Sequence, residues 1–162
     1  MTLFRTVFLL AVLFPVSALA DCPIVTALSC TLDNGAEVEL CADAEALRLR
    51  VRTPGSAAFE RKNPVAAPGV TQYQRAASVE FTDGDLVWEV YEGHWFEPRA
   101  TGDEIIVHAY AGLLTRRGAD IVDDWQCLPN GYVHGGLETL TLFLRDKGLC
   151  RDEATGAFEA CQ

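Results

Sequence analysis

The stretch Tyr91-Glu92-Gly93-His94-Trp95-Phe96-Glu97-Pro98-Arg99 concentrates residue types that recognise other molecules. Aromatic rings stack on sugars or fill partner pockets, and arginine forks carboxylates and phosphates. Both anchor interfaces out of proportion to their number. Gly93 and Pro98 interrupt the segment, which therefore reads as a loop between strands. His94, Trp95, Phe96 and Arg99 are the candidate binding residues. The competing reading folds Trp95 and Phe96 back as a plug at one end of a sheet.

Catalytic chemistry has thinner support. Ser29, Ser56 and Ser78 lack the G-x-S-x-G setting of an activated nucleophile. His108 shares a strand face with Ile106 and Tyr110, the setting of a core or semi-buried histidine. His134, beside Gly135-Gly136, reads as a turn that starts a helix. No H-x-x-x-H or H-x-H spacing supports a metal, and no cofactor fingerprint occurs. Asp123-Asp124 and Asp103-Glu104 could act as acid and base across a cleft. In a chain with 23 Asp+Glu, however, adjacent pairs arise by chance. Asp120, Asp123 and Asp124 lack the regular alternation of a calcium loop.

The elements around these residues read as strands joined by turns. Leu28, Cys30 and Leu32 alternate before Asp33-Asn34-Gly35, and Val38 and Leu40 alternate after it. A three-residue loop there sets Cys30 opposite Val38 and Leu28 opposite Leu40, with the apolar side chains on one face. Closing the next turn at Ala42–Glu45 sets Leu40 opposite Leu47. Glu39 then meets Arg48 and Glu37 meets Arg50 as cross-strand ion pairs. Residues 53–75 are rich in proline and glycine and read as loop, with a short strand near Ala58 to Arg61. Asp83-Gly84 closes a hairpin that sets Phe81 opposite Leu86 and Val79 opposite Trp88. A strand runs from Ile105 to Tyr110, and a further hairpin turns at Arg117-Gly118. Leu137 to Lys147 reads as a helix ended by Gly148. The expected fold is mainly β: an antiparallel sheet curled into a sandwich or partial barrel, with one C-terminal helix.

Residues 1–20 have the form of a bacterial-type secretory signal: Arg5, the apolar run Val7 to Phe14, then Ala18-Leu19-Ala20. Residues 21–162 are then a single domain, periplasmic or secreted, without a membrane anchor. All six cysteines lie in it, so three disulfides are expected. Cys150 and Cys161 flank a loop containing Gly156 and should pair. Cys22, Cys30, Cys41 and Cys127 are bridged in a pairing left open, with Cys30–Cys41 disfavoured because the two face opposite ways.

The full chain has a net charge of −10, and losing Arg5 with the leader makes the domain one charge more negative. This argues against nucleic acid and suits a cationic partner. In type alone — exported, acidic, all-β, disulfide-bonded — the chain resembles small periplasmic lysozyme inhibitors. The short inhibitory loop of those proteins is not found, so the resemblance implies inhibitor-like protein binding and carries no residues. The expected function is a non-enzymatic binding protein whose partner is a protein, such as a cationic one, or a cell-wall glycan. The alternatives are a small hydrolase of cell-wall or glycan material and a carrier of an apolar ligand.

Overall fold

Leu47, Leu49 and Val51 alternate with three arginines, and this two-residue period fixes which side of a sheet is buried. The computed structural model describes residues 24–98, 105–130 and 136–161. Residues 1–20, expected as a secretory signal, and Cys22, Arg99, Asp103, Glu104 and His134 lie outside the described residues. The fold is mostly β, in three antiparallel sheets that do not close into a barrel, with one helix near the C-terminus. Strands β1 (Val25–Thr31), β2 (Glu37–Ala42), β3 (Ala46–Arg52) and β4 (Phe59–Pro64) form one sheet in sequence order. Strands β5 (Val70–Tyr73), β6 (Ala76–Asp83), β7 (Leu86–Pro98), β8 (Ile105–Arg117) and β9 (Asp120–Gln126) form the second. Helix α1 (Gly136–Asp146) precedes the small hairpin β10 (Leu149–Arg151) and β11 (Phe158–Ala160).

The first hairpin has the expected register, with Cys30 opposite Val38 and Leu28 opposite Leu40. Gly35 supplies the positive φ, and Asn34 Oδ1 accepts the Ala36 N–H at 2.9 Å. The β2–β3 and β6–β7 hairpins are each shifted two residues from expectation. Leu40 faces Leu49 rather than Leu47, Glu39 faces Arg50, and Glu37 faces Arg52. The cause is the Asp43 carboxylate, which accepts the N–H groups of Glu45 and Ala46, both at 2.8 Å, and so moves the turn forward. Likewise Asp83 pairs with Leu86, so Phe81 faces Trp88 and Val79 faces Val90. Gly84, at φ +63°, takes the first central turn position, where positive φ is required. Residues 53–75, expected as loop with at most a short strand near Ala58 to Arg61, contain β4 and β5.

The inner faces of the two large sheets meet in one core that includes Leu28, Leu40, Leu47, Leu49, Phe81 and Leu113. Each such side chain contributes about 1.5–3 kcal/mol through burial. The sheets join at one corner, where Leu32 bridges to Cys127 and the Leu128 N–H donates to the Thr31 carbonyl at 2.8 Å. Cys30–Cys127 is a disulfide at this corner. At the opposite side, Asn63 Nδ2 donates to the Pro68 and Glu80 carbonyls at 2.8 and 2.7 Å. Helix α1 packs chiefly on β1, burying Leu137, Leu140 and Leu144. Its first free N–H, at Leu137, donates to Glu92 of β7 at 2.7 Å. Cys150–Cys161 closes the last hairpin as expected. Cys41 is disulfide-bonded as well.

The arginines of β3 form ion pairs rather than a free cationic stripe. Arg48 pairs with Asp43 and with Glu60 at 3.2 Å; Arg50 meets Glu60 at 2.7 Å and Glu39 at 3.5 Å; Arg52 meets Glu37 at 3.1 Å. The backbone N–H groups of Glu45 and Ala46, then Arg48, hold the Asp43 carboxyl down at about 2. Arg50, then Lys62, hold Glu60 down at about 2. A carboxyl depressed in the folded state stabilises it above the unfolded pKa of about 4. That contribution is lost as pH falls through the folded value. The melting temperature should therefore drop between pH 5 and pH 2, and Glu60→Gln should make the drop shallower. Thermal melts of both proteins across that range check this; parallel curves would remove Glu60 from the account.

Candidate functional site

The residues expected to form a loop instead continue strand β7. The strand runs without interruption to Pro98, paired with β8 from Leu86↔Arg117 to Pro98↔Ile105. Gly93 does not break it, because the side chain opposite fills the space above the missing Cβ. A Cβ on Gly93 would meet the ring of Tyr110, and one on Gly112 would meet Tyr91 Cζ at 2.6 Å. Tyr91 faces Gly112 and Tyr110 faces Gly93, so two tyrosines lie across two glycines. Such aromatic cover restores the packing that a glycine removes from a strand.

These pairs build an aromatic row on the outer face of the five-stranded sheet. Tyr91, Gly93 and Trp95 alternate along β7 against Gly112, Tyr110 and His108 along β8. The Tyr91 and Tyr110 ring centroids are 6.3 Å apart. Trp95 stacks flat on His108, centroids 3.9 Å apart and planes within 8°. Glu97 holds the other side of this pair, its carboxylate 2.8 Å from His108 Nε2. Trp95 remains 49% exposed although it is fixed in place. His108 is partly buried, within the core or semi-buried placement expected from its apolar neighbours, and its Nε2 meets the Glu97 carboxylate across the ribbon.

The three described candidates, His94, Trp95 and Phe96, do not share one face. His94 and Phe96 occupy the opposite face from Trp95, in contact with each other at 5.3 Å between ring centroids. Arg75, from the turn between β5 and β6, covers the Phe96 ring at 4.1 Å. His94 lines a recess of about 220 Å³ together with Glu92 and Glu138. Glu92 is engaged with the start of α1. Among the described residues no hydrogen bond joins the His94 ring to a carboxylate.

Inward from Trp95, the aromatic row borders an open cleft of about 480 Å³. Ala76 and Ser78 keep its floor low, and Tyr73, Tyr91 and Tyr110 form its walls. Glu89, Leu114 and Asp124 lie side by side across β7, β8 and β9 at one end. Tyr91 donates its hydroxyl to Asp124 Oδ1 at 2.7 Å. Burial, then this hydrogen bond, pushes the phenol pKa up, so Tyr91 is a fixed donor rather than a base or nucleophile near neutrality. Of the acidic pairs read as catalytic candidates, Asp124 serves Tyr91 and Asp123 takes a long 3.4 Å bond from Thr115. Among the described residues no group of three His, Cys, Asp or Glu is placed to hold a metal ion.

The sequence carried a signal for this row that the loop reading passed over. Tyr-x-Gly-x-Trp at 91–95 and His-x-Tyr-x-Gly at 108–112 are facing period-2 patterns, with aromatic set against glycine.

No family model, curated protein or solved structure matches this chain. The fold and site define a disulfide-bonded β domain with an aromatic outer face. Two disulfides among the described residues are compatible with an oxidising extracellular compartment. No helix among the described residues is long and apolar enough to cross a membrane.

Proposed function

We propose that this is an exported, non-enzymatic binding protein whose partner, a protein or a cell-wall glycan, docks on the outer face of the five-stranded sheet. The observation that carries the reading is Trp95. It is half-exposed, yet locked by the His108 stack and the Glu97 pair, and it is aligned with Tyr110 and Tyr91 beside a cleft. A rigid exposed indole contributes contact area at little entropic cost on binding. Export rests on the residue 1–20 pattern and agrees with the disulfides.

Trp95→Ala should cost less than about 1 kcal/mol of stability, since little of the core depends on it. Partner binding should weaken by about 2 kcal/mol or more, as expected for an anchor aromatic. Thermal melting gives the first quantity. Titration with basic peptides and with soluble peptidoglycan fragments, run in parallel on both proteins, gives the second. A stability loss of about 3–5 kcal/mol would instead place Trp95 in the core and end this reading.

A further inference from the structure

We infer that the outer-face cleft seats a basic side chain, a lysine ammonium or an arginine guanidinium, carried on an extended segment of a partner polypeptide. This deepens the reading of the outer face as a binding surface and rests on it. Among the described residues, those lining the cleft include Glu89, Glu92 and Asp124 and no lysine, arginine or histidine. The Glu92 carboxylate is turned to the start of α1, which leaves Glu89 and Asp124 as the charges at the cleft. They flank Leu114 in a single cross-strand row. Arg116 approaches Glu89 only to 3.9 Å and is committed to Glu80 at 2.6 Å. The Tyr91 hydroxyl occupies one oxygen of Asp124 and holds that carboxylate in position.

A ligand that covers these two carboxylates strips water from both. A neutral sugar offers no counter-charge for that desolvation, whereas an ammonium or guanidinium offsets it with charge-assisted hydrogen bonds. The faces of Tyr73, Tyr91 and Tyr110 around the same space attract a cation further, through the ring quadrupole. Length points to a chain rather than a small amine. Glu89 and Trp95 are six residues apart on β7, a span of about 20 Å at strand rise. An extended segment of about six residues can place its basic side chain in the cleft while its neighbours rest on Tyr110 and Trp95. The net charge of −10 draws such a segment in from a distance.

The test uses the oxidised protein and calorimetric titration at low and high salt. The probes are a lysine-rich decapeptide, the same peptide with its lysines acetylated, N-acetyl-lysine methylamide and a neutral chito-oligosaccharide. The lysine peptide should bind, and acetylation should weaken it about tenfold or more, as should salt. Glu89→Gln and Asp124→Asn, on different strands, should each give a similar loss with an unchanged melting temperature. The small amide should compete only at much higher concentration; equal affinity for the amide and the peptide would overturn the polypeptide source. Equal binding of the acetylated peptide, or unchanged affinity in both carboxylate variants, would overturn the cation site. If only the oligosaccharide binds, and Trp95→Ala weakens it, the outer-face reading stands and this inference falls. If no probe binds, both fall. If the lysine peptide binds and Trp95→Ala leaves its affinity unchanged, the cleft stands and the anchoring role of Trp95 falls.

Discussion

Replacing Cys30 and Cys127 together by alanine should lower the stability of the oxidised domain by about 4–5 kcal/mol, the largest single effect expected in this molecule. The bridge closes 97 residues, against 11 for Cys150–Cys161. In the loop-closure account the stabilisation grows with the logarithm of that length, so the Cys150/Cys161 double variant should lose somewhat under about 3 kcal/mol. Position adds to length. Cys30 lies at the end of β1 and Cys127 just after β9, where the two large sheets meet through the Leu32 to Cys127 bridge. Without the bond, the corner depends on a few backbone hydrogen bonds and the buried side chains behind them. Urea unfolding of the two double variants, compared at matched temperature, checks the ordering. Equal losses would show that unfolded-state entropy is not what this bond controls.

The hairpin registers show what the residue pattern could and could not specify. Two expected registers, between β2 and β3 and between β6 and β7, were each off by two residues, while the buried set was correct in both. A two-residue slip keeps every side chain on its own face, so hydrophobic alternation is blind to it. What decides it is turn chemistry: the carboxylate of Asp43, and the positive φ that only Gly84 adopts without cost. A one-residue slip would have buried arginines, and none occurred. Only the first part of β4 is legible, as the short strand expected near Ala58 to Arg61, for a related reason. Its central residues Glu60-Arg61-Lys62-Asn63 are those of a charged edge strand, a composition that discourages pairing with other chains and resembles loop.

The aromatic segment lies in strand β7 and not in the expected loop. Glycine and proline were read as breaks because their usual effect within a strand is to weaken it. That rule fails where a facing tyrosine covers the glycine, a pairing between residues 17 to 21 positions apart that local reading cannot see. Once the strand is continuous, period-2 alternation divides the three described candidates, His94, Trp95 and Phe96. It leaves Trp95 with the tyrosines and sends His94 and Phe96 to the other face. The cleft was missed for the same reason. Its parts come from five strands, and nothing in one stretch of sequence announces that Glu89, Leu114 and Asp124 lie side by side.

Gly112→Val should be the most damaging single substitution on the outer face, with a cost of about 3 kcal/mol or more in stability. The backbone at Gly112 is not left-handed, so the cost is steric rather than conformational. A Cβ there would run into the carbonyl oxygen of Trp125 on β9 as well as the Tyr91 ring. A side chain can swing aside, but that carbonyl belongs to an edge strand packed beside β8 and moves only if the pairing opens. Displacing Tyr91 also breaks its bond to Asp124, which removes the wall of the cleft and frees the carboxylate it positions. Gly93→Ala is the matched control. Its clash is with the Tyr110 side chain alone, which can rotate away, so it should cost markedly less. Denaturant melts rank the two variants. If Gly93→Ala proves the costlier, the tyrosine cover rather than the β8–β9 backbone contact is what holds this face together.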